Sequence, residues 1–335
     1  MSDAATPETR DRSGHGVVVI GRNEGDRLRR CLASCAGTGP CVYVDSNSTD
    51  GSVALARELE ADVLQLDMSR GFTAARARNE GFRRLLETAP GIEFVTFVDG
   101  DCELFPDWIP EASEFLKSHA DAVAVCGRRR ERFPGASVFN RLCDIEWNTA
   151  TGETRSFGGD VLIRASALAA VGGYRDDLIA GEEPELCVRL RAAGGRIWRI
   201  DRDMTWHDAA MTTWTQWWRR NKRSGHAFAE GAFLHGAPPE RHFASEARRA
   251  LAWGAALPLA VLLSAALLSP WLLLLFAVYP LQWLRIGTKF ARAGSPIPWT
   301  HAAFLLMGRF PEAQGALKFW FGRLVGQRSA IIEYK

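Results

Sequence analysis

Four short runs of β-branched and aromatic residues, each ending in polar groups, set the frame for the first hundred residues of this chain. Gly16 to Ile20 reads GVVVI, an apolar run suited to a strand buried on both faces, and it leads into Arg22, Asn23 and Glu24. Cys41 to Val44 is a second run and ends in Asp45, Ala61 to Leu66 is a third, and Phe94 to Val98 is a fourth that runs into Asp99-Gly100-Asp101. Helical spacing separates the runs. Asn23 or Asp26 is placed to cap a helix through Leu28 and Leu32, Ser52 to Glu60 reads as a second helix, and Ala74 to Leu86 as a third. Alternation of strand and helix argues for a mostly parallel α/β sheet flanked by helices. Ligands on such sheets bind at the carboxyl ends of the strands, where the three polar clusters fall.

Beyond Asp121 the pattern loosens. A strand over Ala122 to Cys126, a helix from Pro184 to Ala193 and a late strand over Arg196 to Ile200 are expected there. The last third differs in kind. Ala250 to Leu284 contains no charged residue and exceeds the roughly 20 residues that one bilayer crossing needs. Ser269-Pro270 divides it, Arg248-Arg249 precede it, and Arg285, Lys289 and Arg292 follow it. Basic flanks favour the cytoplasmic side, so the stretch is expected to form a membrane-associating helical hairpin with both ends inside; a buried hairpin of a soluble domain is the alternative. The organisation expected is a lead over residues 1–14, a catalytic domain over 15–235 and a membrane-associated helical region over 236–335.

Bulk charge excludes little except nucleic acid as an obvious partner, since the formal net charge is only +2. The seven cysteines lack zinc-ligand spacing and read as small buried thiols. Met1 to Gly14 is polar, has no apolar core of the signal-peptide kind, and is expected to lack order. A dinucleotide-binding fold is excluded because no G-x-G-x-x-G follows the first strand.

Chemistry concentrates in Asp99-Gly100-Asp101. Two carboxylates flanking a glycine just after an apolar strand can hold a divalent cation, Mg²⁺ or Mn²⁺, against a diphosphate; an ordinary Asp-Gly turn is the alternative. Arg76 and Arg78 precede Asn79 on the third helix and are placed to contact a diphosphate or sugar. His207, after the late strand, is a further metal ligand or a structural histidine.

Five blocks in order carry a resemblance: VVVIGRNEGDRLRRCLAS, VYVDSNSTDGS, AARARNEGF, FVTFVDGD, and GGDVLIRASALAAVGGYRDDLIAGEEPELCVRLRAAG. Together they resemble family 2 glycosyltransferases with the GT-A fold, of the membrane-associated type that builds exopolysaccharide and cell-envelope glycans. The resemblance implies that the first strand's end (Arg22, Asn23, Glu24) and Asp45 face the nucleotide, and that Asp99 and Asp101 carry metal and phosphates. The family commonly has two adjacent acids where this chain has Asp45-Ser46. Gly181-Glu182-Glu183-Pro184-Glu185 resembles the family's acidic motif, whose second acid is the catalytic base. Position gives that role to Glu183, with Glu182 the other candidate, and both also suit a helix N-terminus. Gln216-Trp217-Trp218-Arg219-Arg220 partly resembles the Q-x-x-R-W motif of processive membrane synthases. Arg219 is then a phosphate contact, while Trp214, Trp217 and Trp218 with neighbouring cations form an interfacial helix.

Taken together, the residues and the resemblance lead to an expectation of inverting, metal-dependent sugar transfer. The donor is a nucleoside diphosphate sugar, the acceptor a hydroxyl on a lipid-linked glycan, and the location the cytoplasmic face of the inner (plasma) membrane. The alternatives are a polyprenyl-phosphate sugar synthase and a non-catalytic membrane scaffold that keeps the fold.

Overall fold

The computed structural model describes residues 14–326, so the polar lead-in before Gly14 lies outside the described residues. The first half runs β1 (His15–Gly21), α1 (Asp26–Cys35), β2 (Cys41–Asp45), α2 (Ser52–Glu58), β3 (Asp62–Gln65), α3 (Ala74–Thr88), β4 (Phe94–Asp99), β5 (Cys102–Leu104), α4 (Trp108–Ser118) and β6 (Ala122–Glu131). It continues through α5 (Val138–Glu146), β7 (Gly152–Glu153), β8 (Val161–Arg164), α6 (Ala165–Ala170), α7 (Glu182–Ala192) and β9 (Arg196–His207). The remainder is helical: α8 (Trp214–His235), α9 (Ala244–Leu251), a π turn (Ala252–Ala256), α10 (Leu257–Leu267), a 3₁₀ segment (Pro270–Ala277), α11 (Val278–Arg292), α12 (Pro298–Met307) and α13 (Arg309–Leu324).

The chain divides into two compact units. The first holds residues 1–132, 147–177 and 189–208, and with them the whole sheet. Strand order is β3-β2-β1-β4-β8-β6-β9-β5, with β7 on β9. The four sequential strands β3, β2, β1 and β4 are parallel, as the alternation demands. Past β4 the sheet is mixed, since β8 lies antiparallel between β4 and β6, whereas β6 and β9 are parallel. Register lines up the strand ends: Gly21 pairs with Asp45, and Ile20 pairs with Asp99. The core is the apolar run itself, with Val17, Val18, Val19, Tyr43 and Phe97 fully enclosed.

Three expectations need correction. Strands β6 and β9 extend well past Cys126 and Ile200, into residues 127–131 and 201–207. The arginines there hid the strands: Arg129 pairs inward with the buried Asp160, while Arg130 and Arg202 pair with acids nearer the surface. Helix α1 starts at Asp26 without a side-chain cap, and Asn23 instead sits in a left-handed turn. Helix α7 starts at Glu182, which puts Pro184 inside its first turn, where the missing N–H costs nothing.

The second unit holds residues 133–146, 178–188 and 209–335. Helix α8 opens with a capping box in which Thr213 and Gln216 satisfy each other's backbone. It packs against α13 at a crossing that only glycine allows. A Cβ on Gly225 would lie 1.9 Å from the Glu312 carbonyl oxygen, and one on Gly315 would lie 1.9 Å from that of Lys222. The expected interfacial row on α8 is also corrected: Trp217 is buried, and it packs with Trp214 against Phe139 and Phe304.

Residues 244–267 and 270–292 form two helical arms with mean hydropathies of 2.0 and 1.2, long and apolar enough to cross a membrane. Ser269-Pro270 turns the chain between them, and the Trp253 and Tyr279 rings meet across the arms at 5.7 Å. Leu267, Leu268 and Trp271 at the turn are more than three-quarters exposed. A buried soluble hairpin would enclose these residues; here they form a contiguous apolar surface.

Candidate active site

Two loops at the carboxyl end of the parallel strands are stitched to each other. The Asn23 N–H donates to Ser48 Oγ at 2.9 Å, the Thr49 N–H donates to Asn23 Oδ1 at 2.7 Å, and the Gly25 N–H donates to Asp50 Oδ2 at 3.0 Å. Asp45 is buried beneath them. Its Oδ1 accepts from the Tyr43 hydroxyl at 3.0 Å and its Oδ2 from the Ser48 N–H at 2.9 Å, so both oxygens hold the loop. Glu24 pairs with Arg27 at 2.9 Å and borders Gly100, while Arg22 lies over the Phe72 ring at 4.8 Å.

The two carboxylates of the D-x-D have different surroundings. Asp99 faces cations: Arg78 Nη2 is 2.8 Å from Oδ1, and Arg129 is 3.6 Å from Oδ2. Asp101 faces His207, whose Nε2 is 3.3 Å from its Oδ2. Burial, reinforced by the charge of Arg129, pushes the His207 pKa down to about 4, which leaves the imidazole neutral at neutral pH. Trp147 closes the far side of that ring edge-on at 4.6 Å.

Beneath the pair lies a group that sequence reasoning left unassigned. Asp160 is fully buried; it accepts the Asp99 N–H at 3.1 Å and the Thr205 hydroxyl at 2.7 Å, and it pairs with Arg129 at 2.8 Å. Irregularities in the β6–β9 register around Arg128 and Arg129 accompany this inward aim. Gly159 is equally constrained, since a Cβ there would sit 2.3 Å from Asp99 Oδ2. The signals were present in the sequence: a Gly-Gly-Asp triplet before an apolar run, and a row of arginines ending another.

The cluster therefore brings together Arg78, Asp99, Asp101 and His207, with the loops of Arg22, Asn23, Glu24 and Asp45 bordering it. Arg76 points elsewhere. Its guanidinium donates to the carbonyls of Asp67, Arg70 and Gly71 and so ties down the loop ahead of α3. In the second unit Glu182 is buried and Glu183 half-buried at the start of α7, and Arg219 is exposed on α8. Glu185, one turn on, pairs with His235 at 3.0 Å.

Donor chemistry decides what the cluster can hold. Asp101, Cys102 and His207 converge, as do Asp99, Cys102 and Asp160. Burial drives the Cys102 thiol far up, and a soft sulfur is a poor match for a hard cation. Carboxylate oxygens with one neutral imidazole remain, a set that fits a hard divalent cation.

The family model for glycosyl transferase family 2 matches residues 16–166, which include both stitched loops, the D-x-D and Asp160. The chain is 29% identical over 178 residues to the succinoglycan biosynthesis protein ExoA of Rhizobium meliloti, covering 48% of this chain and 51% of ExoA. It is 26% identical over 218 residues to the pre-mycofactocin glycosyltransferase of Mycobacterium tuberculosis, covering 59% of this chain and 44% of that protein. The chain thus spans about half the length of the curated relatives it matches. The mannosyltransferase PcManGT of Pyrobaculum calidifontis, solved with GDP-Man and Mn²⁺, superposes with a TM-score of 0.63 at 21% identity. That match covers 96% of this chain and 90% of PcManGT, and establishes the GT-A fold.

Proposed function

We infer that the protein is a metal-dependent glycosyltransferase acting on a nucleoside diphosphate sugar at a membrane surface. The observation that carries this reading is the buried pairing of Asp101 with a neutral His207, next to an Asp99 clamped by Arg78 and Arg129. Asp99, Asp101 and His207 would hold Mg²⁺ or Mn²⁺. Bound there, the cation supplies charge neutralisation for the leaving nucleoside diphosphate. The protein's own groups do the rest. Arg78, Arg129 and Asp160 fix Asp99 in one orientation, and the loops stitched by Asn23, Asp45 and Ser48 form a pre-ordered floor for the nucleotide. Glu183 takes the proton of the acceptor hydroxyl as its oxygen attacks the anomeric carbon and the bond to the diphosphate breaks, which inverts that carbon. A relative named for succinoglycan biosynthesis, together with the apolar hairpin, supports a lipid-linked glycan acceptor at the membrane.

The test is a panel of nucleotide sugars, including GDP-mannose and UDP-glucose, offered to detergent-purified protein. Release of nucleoside diphosphate from one of them is expected, dependent on Mn²⁺ or Mg²⁺. No release from any donor with either metal would sink the reading.

Membrane attachment is expected to survive a carbonate wash of the pelleted membranes. Truncating the chain at Arg248 is a poor control, because it also strips α13 from α8. Placing one charge on each arm, as in L262R/L274R, keeps both helices. Each such charge costs about 2.5–3.5 kcal/mol at a bilayer centre, so the double variant is expected in the soluble fraction. Wild-type protein that washes off the membrane overturns the assignment.

A further inference from the structure

The cations that flank the apolar stretch do not scatter over the surface. Arg249, which precedes it, and Arg285, Lys289 and Arg292, which follow it, line one cavity of about 720 Å³ in the second unit, together with Arg309. Arg285, Lys289 and Arg292 recur at spacings of four and three, so one face of α11 presents all three. Among the described residues, none of the three is within ion-pair distance of an acid, whereas Arg249 pairs with Glu246 at 3.0 Å and Arg309 with Glu312 at 2.7 Å. Burial lifts Glu312 to about 7, so at neutral pH it offsets Arg309 only in part. The cavity thus carries a surplus of positive charge.

Its other walls are mostly apolar. Trp253 on the first arm of the hairpin, Ile286 and Phe290 of α11, and Leu305 and Leu306 of α12 form them, with the polar Gln282 and Thr288 between the cations. A free anion has no use for such walls. An amphiphile does: its phosphate meets the guanidinium groups while its first carbons lie on Trp253 and the leucines, and its chains continue along the exposed leucines of the arms. The cavity volume falls within the range typical of small-ligand sites. Cations at headgroup depth also attract anionic lipids generally, by about 1 kcal/mol each. A cavity that collects Arg285, Lys289 and Arg292 beside the two paired arginines goes further, because it presents that surplus to one headgroup.

We propose that this cavity binds the phosphate headgroup of an anionic membrane lipid, seating it between the two ends of the apolar hairpin. The site is separate from the donor-site chemistry, and its occupancy is read without any sugar transfer, so either assignment can fail alone.

The experiment titrates full-length protein in a neutral maltoside detergent with dioctanoyl phosphatidic acid, dioctanoyl phosphatidylcholine and inorganic phosphate, following binding by calorimetry. Phosphatidic acid is expected to bind saturably, phosphatidylcholine to show no saturable binding, and inorganic phosphate to bind at least about a hundredfold more weakly than phosphatidic acid. The variant R285Q/K289Q/R292Q is expected to lose about tenfold or more in affinity for phosphatidic acid, with an unchanged thermal midpoint. The charge-keeping R285K/R292K is expected to stay within about threefold of wild type, which separates lost charge from a damaged fold. Equal binding of phosphatidic acid by wild type and the triple glutamine variant overturns the site. Phosphate binding as tight as phosphatidic acid overturns the lipid assignment, and phosphatidylcholine binding as tight shows that the charges do not select.

Discussion

Asp101→Ala is expected to abolish sugar transfer while leaving the protein folded. Asp101 is the carboxylate that meets His207 in a water-poor pocket, and its loss leaves only Asp99, already paired with Arg78 and Arg129, and a neutral imidazole for the divalent cation. Losing a metal's stabilisation of a leaving diphosphate costs several kcal/mol. At about 1.4 kcal/mol per factor of ten, that is a rate loss of about 10³ or more. Nucleoside diphosphate should also bind more weakly, and added Mn²⁺ should no longer improve its binding. The matched control is wild type with EDTA, which should show the same loss. An Asp101→Ala protein that turns over normally in the presence of EDTA would end the metal assignment. Asp99→Ala is expected to differ in kind, because it also removes the carboxylate that pairs with Arg78 at 2.8 Å. It should therefore lower the thermal midpoint as well as the rate.

Much of this site was legible in the sequence because its backbone follows simple rules. A buried parallel strand needs an unbroken apolar run, and the residue after the run must lie at the sheet's carboxyl edge. Asp45 and the D-x-D were placed that way, and strand register does line up their positions. What such rules miss is where a long side chain goes. Arg76 and Arg78 are two residues apart on α3, yet one guanidinium ends on loop carbonyls and the other on Asp99. Nothing in local spacing separates them. Asp45 was readable as a strand-end acid, but not as one whose oxygens are both taken by Tyr43 and Ser48.

The arginine-rich ends of β6 and β9 failed for a related reason. Charged residues in a row argue against a buried strand unless each has a buried partner, and such partners come from distant sequence. Asp160 supplies one for Arg129, whereas Arg130 lies at a more open edge and pairs with the half-buried Asp203 at 2.7 Å. The apolar hairpin was legible as hydropathy alone. Its flanking cations were legible as a group, but their convergence on one cavity depends on how α11 and α12 pack, which hydropathy does not encode.

The acid pair on α7 yields the second large effect. Glu183→Gln is expected to lose most of its turnover, about 10² to 10⁴, the range general base catalysis usually contributes. Glu182→Gln is expected to be milder in rate. The structure adds a reason beyond position in the motif. Glu182 is 3% exposed, whereas Glu183 is half-buried and so remains accessible from solvent. A base must reach an incoming hydroxyl, and an enclosed carboxylate cannot. Glu182 is therefore expected to act on the fold, with Glu182→Gln showing in the thermal midpoint rather than in the rate. Both substitutions keep shape and remove one charge at adjacent positions, so the comparison isolates which carboxylate accepts the proton. Donor binding should stay near wild type in Glu183→Gln, since the base acts on the acceptor. A dead Glu182→Gln beside an active Glu183→Gln would exchange the roles. If both stay active, the acceptor arrives already ionised, as a phosphate oxygen would, and the acceptor is then a polyprenyl phosphate rather than a glycan hydroxyl.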